Sequence, residues 1–360
     1  MRNNLFKLKR FWKNKKVFLT GHTGFKGSWL VIFLNILGAK VYGYSLRAEK
    51  NSLYNIAKLD KIVTKSVIGD IRDYKKLKKN IKKIAPNFVI HMAAQPLVRF
   101  SYDEPKYTYE VNTTGTLNIL NIINEINLVK NVIIITTDKV YKNIKQNRHF
   151  KENDELGGYD PYSNSKACAE LICQSYSNSF LLQKKISCVT VRAGNVIGGG
   201  DFALNRIIPD YFRAFKNKKK LLLRYPNAIR PWQHVIEPLY GYLLLMMNIY
   251  NKKKTTNTAL NFGPASKNNL KVKKIISILN TNLGKPIKVI EAFNRKNNYK
   301  ESDILKLNSR KASKSLNWKS KYNINETMRL ITDWYIIYFK DRKKILDISK
   351  KQILNYINLF

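Results

Sequence analysis

Residues 16–38 read KVFLTGHTGFKGSWLVIFLNILG, and the order of the pieces decides the fold. Lys16 to Thr20 is a short β-type run. Gly21 to Gly27 is a glycine turn, and Ser28 to Leu37 is an apolar stretch that Gly38 ends as a helix stop. Lys40 to Ser45 (KVYGYS) follows as a second strand and closes a βαβ unit of ~30 residues. Gly21, Gly24 and Gly27 are spaced G-x-x-G-x-x-G between strand and helix. Glycine there permits a tight turn and close approach of the backbone to a pyrophosphate, while the helix N-terminus offers N–H groups to it. The pattern alone is weak; in this β-turn-α setting it favours dinucleotide binding over a plain turn. Thr23, Phe25 and Lys26 complete the candidate loop, with Lys26 adding positive charge near the phosphates. His22 is bulkier than the small residue expected there.

The second strand ends Ser45-Leu46-Arg47 with no acid until Glu49, a departure from the usual ribose-binding acid. Arg47 suits a 2′-phosphate, so this element leaves NAD and NADP both open. Asp70, followed by Ile71, is a candidate for the adenine amino group or else a solvated loop acid.

The strand–helix pattern repeats. Residues 65–68, 87–92, 131–137 and 187–192 read as strands, and 107–126 and 160–177 as helices. Strands apolar on both faces that alternate with helices imply a parallel sheet covered on both sides. After about residue 193 the character changes, with a glycine loop at 198–200, a helical stretch at 209–215, a short strand at 221–224 and an amphipathic helix at 325–338. The fold class expected is α/β: a doubly wound, mostly parallel sheet with a smaller C-terminal α/β substrate domain. The division expected is 1–193 with about 232–264 for the dinucleotide part, 194–231 and 265–345 for the substrate part, and 346–360 as a tail. At ~150 residues per domain, 360 residues agree with two.

Composition narrows the classes. Hydrophobic residues at 44% and aromatics at 12% exclude a disordered chain. Lys and Arg number 66 against 24 acids, a net charge of +42 that raises nucleic-acid binding. The lysines are scattered, however, and Asn, Ile and Tyr, which share A/T-rich codons, are abundant with them. No nucleic-acid motif accompanies them, so a solvated basic surface and no nucleic-acid partner are expected. Three cysteines (Cys168, Cys173, Cys188) and four histidines (His22, His91, His149, His234) fit neither a disulfide framework nor a metal cluster, which points to a reduced, cytoplasmic compartment. The longest apolar stretch, 29–37, is too short to span a membrane, and the basic start lacks a signal-peptide core.

Tyr162 and Lys166 lie one helical turn apart, after a Pro161 suited to a first turn. A Lys⁺ beside a phenol lowers its pKa, and the phenolate can take a proton from a hydroxyl as hydride leaves the same carbon. The alternative is an exposed helical pair. Thr136-Thr137-Asp138-Lys139 ends a central strand, where open α/β sheets hold ligands; the alternative is a surface ion pair.

The stretches GHTGFKGSWL (21–30), GDIRD (69–73), HMAAQPLVRFSY (91–102), TTDKVYKN (136–143), GGYDPYSNSKACAE (157–170), RAGNVIGGGD (192–201) and AIRPWQHV (228–235) resemble the extended short-chain dehydrogenase/reductase family, and within it the nucleotide-sugar dehydratases of CDP type. The resemblance covers most of the first 240 residues. It implies a modified Rossmann fold, NAD as cofactor, and a homodimer or homotetramer. It also implies CDP-glucose as substrate and a 4-dehydro-6-deoxy sugar as product, in deoxysugar biosynthesis for surface polysaccharide. Asp138-Lys139 is the CDP-type variant of an acid–base pair that epimerases of the family generally lack. On this reading Tyr162 takes the 4-OH proton, Thr137 holds the 4-oxygen, Lys166 holds the nicotinamide ribose, Lys139 removes the C5 proton, and Asp138 protonates the leaving C6 hydroxyl. Ala93 and Ala94 would line the cofactor, and Gln95, Asn195, Arg206, Arg230 and His234 the substrate. Arg192 and Arg206 are equally readable as structural ion pairs, and His234 as a satisfied core histidine. A dTDP- or UDP-sugar dehydratase or 4-epimerase, and a non-catalytic Rossmann protein, are the competing readings.

Overall fold

Seven strands form one sheet: β1 (Lys16–Thr20), β2 (Lys40–Ser45), β3 (Lys65–Ile68), β4 (Phe88–His91), β5 (Asn131–Ile135), β6 (Ser187–Ala193) and β7 (Ala259–Phe262), in the order β7-β6-β5-β4-β1-β2-β3. Every pairing in it is parallel. The computed structural model describes residues 2–142, 147–251, 258–291 and 304–360. β4, β5 and β6 are buried along their whole length, as strands covered on both faces must be. Chain order reverses between β1 and β4, so a crevice opens at their carboxyl ends. Thr20 and His91 pair there, and a Thr20 Oγ1–His91 Nδ1 bond of 2.8 Å ties the two strand ends together.

The helices that matter to the site are α1 (Arg2–Trp12), α2 (Phe25–Ile36), α3 (Tyr74–Ile84), α4 (Gly115–Ile126), α5 (Pro161–Tyr176), α6 (Ile236–Asn251), α7 (Ile324–Lys340) and α8 (Ile345–Ile357). Two elements differ from expectation, and a third had none. The basic N-terminus is a helix because Leu8 and Trp12 fall on one face and are buried, Trp12 lying 5.0 Å from the ring of Phe88. The helix expected over 107–126 is interrupted: Pro105–Tyr109 passes through a π-turn at Glu110–Thr114 into α4. The wide turn brings Asn112 inward, where it accepts from Gln95 N (2.9 Å) and donates to Gln95 O (3.1 Å) and Ser165 Oγ (3.0 Å). The stretch 346–360 is no loose tail, since α8 buries Ile353, Tyr356 and Ile357 completely.

One hydrophobic cluster runs from Trp29 and Phe33 on α2 through Tyr240 on α6 to Trp334 on α7 and Tyr356 on α8. Glu237, in the first turn of α6, ties the C-terminal segment to it. Its Oε1 accepts from Ser320 Oγ (2.8 Å), Lys321 N (2.7 Å) and Tyr322 N (3.1 Å), and its carbonyl accepts from Trp318 Nε1 (3.0 Å). Among the described residues no helix is long and apolar enough to cross a membrane, and no group of His, Cys, Asp and Glu is arranged to hold a metal.

Burial pushes the Glu237 carboxyl up to about 7. The native state therefore holds a proton that the unfolded chain has already released, and the contribution of this group falls as pH rises through about 7. Glu237→Gln keeps the Oε1 acceptor and removes the titration. Urea midpoints should show the variant gaining on wild type between pH 5 and pH 8; a constant difference contradicts the assignment.

Candidate active site

A cleft of about 600 Å³ opens at the carboxyl ends of β1, β2 and β4. At one end its wall holds Arg47, Asp70 and Ile71; it then passes Gly21–Gly27 and Ala93–Ala94 and ends at Tyr162, Lys166 and Arg206. Two of the glycine turn's three glycines leave no room for a side chain. Gly21 has φ +73°, and a Cβ on it would stand 2.7 Å from the backbone N of Ala93. A Cβ on Gly27 would stand 2.1 Å from Gly21 O. Gly24 caps α2 with no side-chain bond, so the first-turn N–H groups of α2 have neither an intrahelical partner nor a cap. The glycine cradle, open helix end and long cleft fit a dinucleotide.

His22, unexpectedly bulky, points away from the cleft and under β2. Its Nε2 bonds Ser66 Oγ at 2.7 Å, and burial lowers its pKa to about 4. It fits because Gly43 lacks a side chain: a Cβ there would stand 2.4 Å from the imidazole. Thr23 pins the turn to the end of β2 through Ser45 Oγ (2.7 Å) and Leu46 O (3.1 Å). Lys26 faces Lys166 and Arg206, and loss of solvation, reinforced by those cations, lowers it to about 7. Asp70 is grasped by Arg72 through Nε (3.1 Å), Nη2 (2.8 Å) and its backbone N (2.8 Å), which holds the carboxyl below its ordinary range.

At the inner end, Tyr162 and Lys166 share one face of α5. Lys166 is buried, donates to Ile135 O at 3.1 Å, and is lowered to about 8 by burial. Tyr162 corrects the sequence expectation: burial drives its phenol up to about 12, against the opposing pull of a hydrogen bond with Thr137 and the charge of Arg206. A Lys⁺ one turn away lowers a phenol only where the phenolate is also tolerated, and the dry wall here disfavours it. Thr137, Asp138 and Lys139 continue from β5 beyond the cleft wall. Asp138 is buried, its Oδ1 accepts from Thr137 Oγ1 at 3.1 Å, and its Oδ2 has no partner. Burial raises this carboxyl above its ordinary range although Lys139 and Arg230 pull it down. Lys139 is half-buried, with its backbone N on Thr137 Oγ1 at 3.4 Å.

The substrate candidates divide. Arg206 is in the wall, paired with Asp201 at 3.0 Å and acting on Tyr162. Arg230 is buried on a short strand, Ile229–Pro231, within electrostatic reach of Asp138. Asn195 is half-buried, and its carbonyl accepts from Gln233 N at 3.1 Å. Gln95 spends its amide internally: Nε2 donates to Thr108 Oγ1 (2.8 Å) and Oε1 accepts from Leu97 N (2.6 Å). His234 is a core histidine, edge-on to Trp29 (5.8 Å) and Tyr322 (6.1 Å) and lowered to about 3 by burial. Arg192 is a structural pair with Glu170 at 2.8 Å, away from the cleft. Glu170 itself was passed over in the sequence, although it continues the four-residue spacing of Tyr162 and Lys166.

Residues 18–331 match the family model described as GDP-mannose 4,6-dehydratase, and the chain belongs to that family. The CDP-glucose 4,6-dehydratase of Salmonella typhimurium is 41% identical over 356 residues, covering 97% of this chain and 98% of that protein. Among solved structures, an epimerase of Methanothermobacter thermautotrophicus matches with a TM-score of 0.81 at 23% identity, over 95% of this chain and 98% of that one. The dTDP-glucose 4,6-dehydratase of Bacillus anthracis, solved in complex with NAD, matches with a TM-score of 0.75 at 22% identity, over 92% and 99%. At these identities the two structures establish the shared fold.

The His22–Gly43 contact makes a double-mutant test of the loop. Gly43→Ala should cost about 1–3 kcal/mol, the range for overpacking. Adding His22→Ala should restore most of that loss, as read by chemical denaturation. Two costs that simply add would show that the imidazole does not occupy the space above Gly43.

Proposed function

We propose that this member of the GDP-mannose 4,6-dehydratase family converts CDP-glucose to CDP-4-dehydro-6-deoxyglucose and water. The observation that carries the reading is Asp138, a buried carboxyl just after β5 whose Oδ2 has no partner and which lies within electrostatic reach of Tyr162. An elimination needs an acid for its leaving hydroxyl; epimerisation at C4 does not. The 41% identity to a CDP-glucose dehydratase supports the nucleotide.

NAD fits the cleft. Gly21, Thr23, Gly24, Phe25, Lys26 and Gly27 would hold its pyrophosphate, Asp70 and Ile71 its adenine end, and Ala93, Ala94, Tyr162 and Lys166 its nicotinamide end. Bound NAD supplies a hydride acceptor at the start of the cycle and returns the hydride at its end, so none is consumed. Arg206, Arg230 and Asn195 hold the substrate diphosphate, as Arg forks suit phosphate oxygens. Gln95, its amide spent on internal contacts, serves as scaffold, as does His234 within the aromatic core. Tyr162 takes the 4-OH proton as its phenolate, a form that the Thr137 hydrogen bond and the Arg206 charge favour against the opposing effect of burial. The 4-ketone acidifies the C5 hydrogen, which Lys139 removes as a proton. The C6–O bond breaks as Asp138 gives its proton to the hydroxyl, and water leaves. Lys139 would then return its proton to C5. The proton held by Tyr162 replaces the one lost by Asp138, so the cycle balances.

We place the nucleotide-sugar-binding part in residues 194–231 and 265–345, beside an NAD-binding part of 1–193 with about 232–264. The protein works in the cytoplasm with its three cysteines free. Its subunits assemble as a dimer or tetramer, which sedimentation velocity reads out.

Purified protein, NAD and CDP-glucose should give a product lighter by about 18 mass units with no net NADH. The dTDP- and UDP-sugars should stay unchanged. Water loss from one of those instead keeps the chemistry and overturns the nucleotide. Asp138→Asn should fold normally and bind NAD, but dehydrate about 10²–10⁴-fold more slowly, the range for a lost general acid. Full activity in that variant removes Asp138 from the mechanism.

A further inference from the structure

Tyr162, Lys166 and Glu170 stand at successive four-residue steps on α5. The first two face the cleft, and the third is sealed behind it. The Glu170 carboxylate takes four donors: the Thr136 hydroxyl and Arg192 Nε (2.9 Å) on Oε1, and Thr190 Oγ1 (2.6 Å) and Arg192 Nη2 (2.8 Å) on Oε2. Arg192 spends its remaining arm on Tyr141 Oη (2.9 Å) and Glu152 O (3.0 Å), with the guanidinium over the Tyr141 ring. Both members of the pair are nearly inaccessible, at 4% and 3% exposure. Thr136 immediately precedes Thr137, Asp138 and Lys139. One carboxylate therefore clamps the helix carrying Tyr162 and Lys166 to the strand end carrying the acid–base pair.

We infer that Glu170, seated by Arg192, is a positioning residue that fixes the register between Tyr162–Lys166 and Thr137–Lys139. The inference rests on the dehydratase reading, because that reaction is what requires both groups on one sugar. Tyr162 must meet the oxygen on C4 while Asp138 and Lys139 meet C6 and C5, and the two sets sit on different elements. A misplacement of ~1 Å between such groups costs about 10²-fold in rate. Stability alone does not explain the clamp, since buried ion pairs are often replaceable by apolar groups without loss. Glu170 has a second effect: with Cys173 it favours the charged form of Lys166. The other ionisable groups facing Lys166 are Lys26 from α2 and His91 from β4.

The test is Glu170→Gln, with the double variant E170Q/R192M as a charge-free core in case the single change leaves Arg192 stranded and prevents folding. In either folded variant kcat should fall about 10²-fold with KM little changed. Its pH profile should move to lower pH as Lys166 loses a charged partner. NAD binding, measured by calorimetry, should remain. A crystal structure should show α5 displaced along β5. Unchanged kcat and pH profile, or an unmoved α5 in the crystal, overturns the inference. Wild-type turnover of CDP-glucose in the same assay judges the dehydratase reading separately, because the register of α5 is read without any substrate.

Discussion

A carboxylate out of contact with water must have every lone pair answered, and Glu170 meets that demand with two threonines and one arginine drawn from β5 and β6. The site is built around that constraint. The parallel sheet delivers strand ends to one edge, and the switch between β1 and β4 opens a crevice there. The ion pair, together with the Lys166 bond to Ile135 O at 3.1 Å, ties α5 to the strand ends.

Dryness is the second organising influence. Burial pulls four ionisable groups of the site towards their neutral forms: Lys26 to about 7, Lys166 to about 8, Tyr162 to about 12 and Asp138 upward. The upward shift of Asp138 runs in the direction an elimination acid requires, whereas Tyr162 must shed its proton before it can act as a base.

Much of this was legible in the sequence, for physical reasons. β1, β2 and β3 end where they were expected because glycines and polar turns bound short apolar runs. The glycine loop was readable because its requirement is steric and local. Other features depended on neighbours remote in sequence. His22 is acceptable because of Gly43 on the next strand. The π-turn exists because Asn112 must reach the Gln95 backbone. α8 counts as core because α2 and α6 offer it aromatic surface, Tyr240 standing 5.5 Å from Tyr356. The phenol of Tyr162 moved opposite to expectation because burial, unlike the spacing of Tyr and Lys, is a property of the whole fold. Gln95 sits in a motif stretch, yet both ends of its amide are used inside the protein.

The central claim is an internal transfer: hydrogen leaves C4 as hydride and comes back to the same sugar at C6. CDP-glucose deuterated at C4, turned over with unlabelled NAD and examined by NMR and mass spectrometry, tests it most directly. The account predicts a product that keeps the deuterium at C6, with solvent hydrogen at C5. Deuterium that stays on C4, or that is lost to the medium, would contradict it.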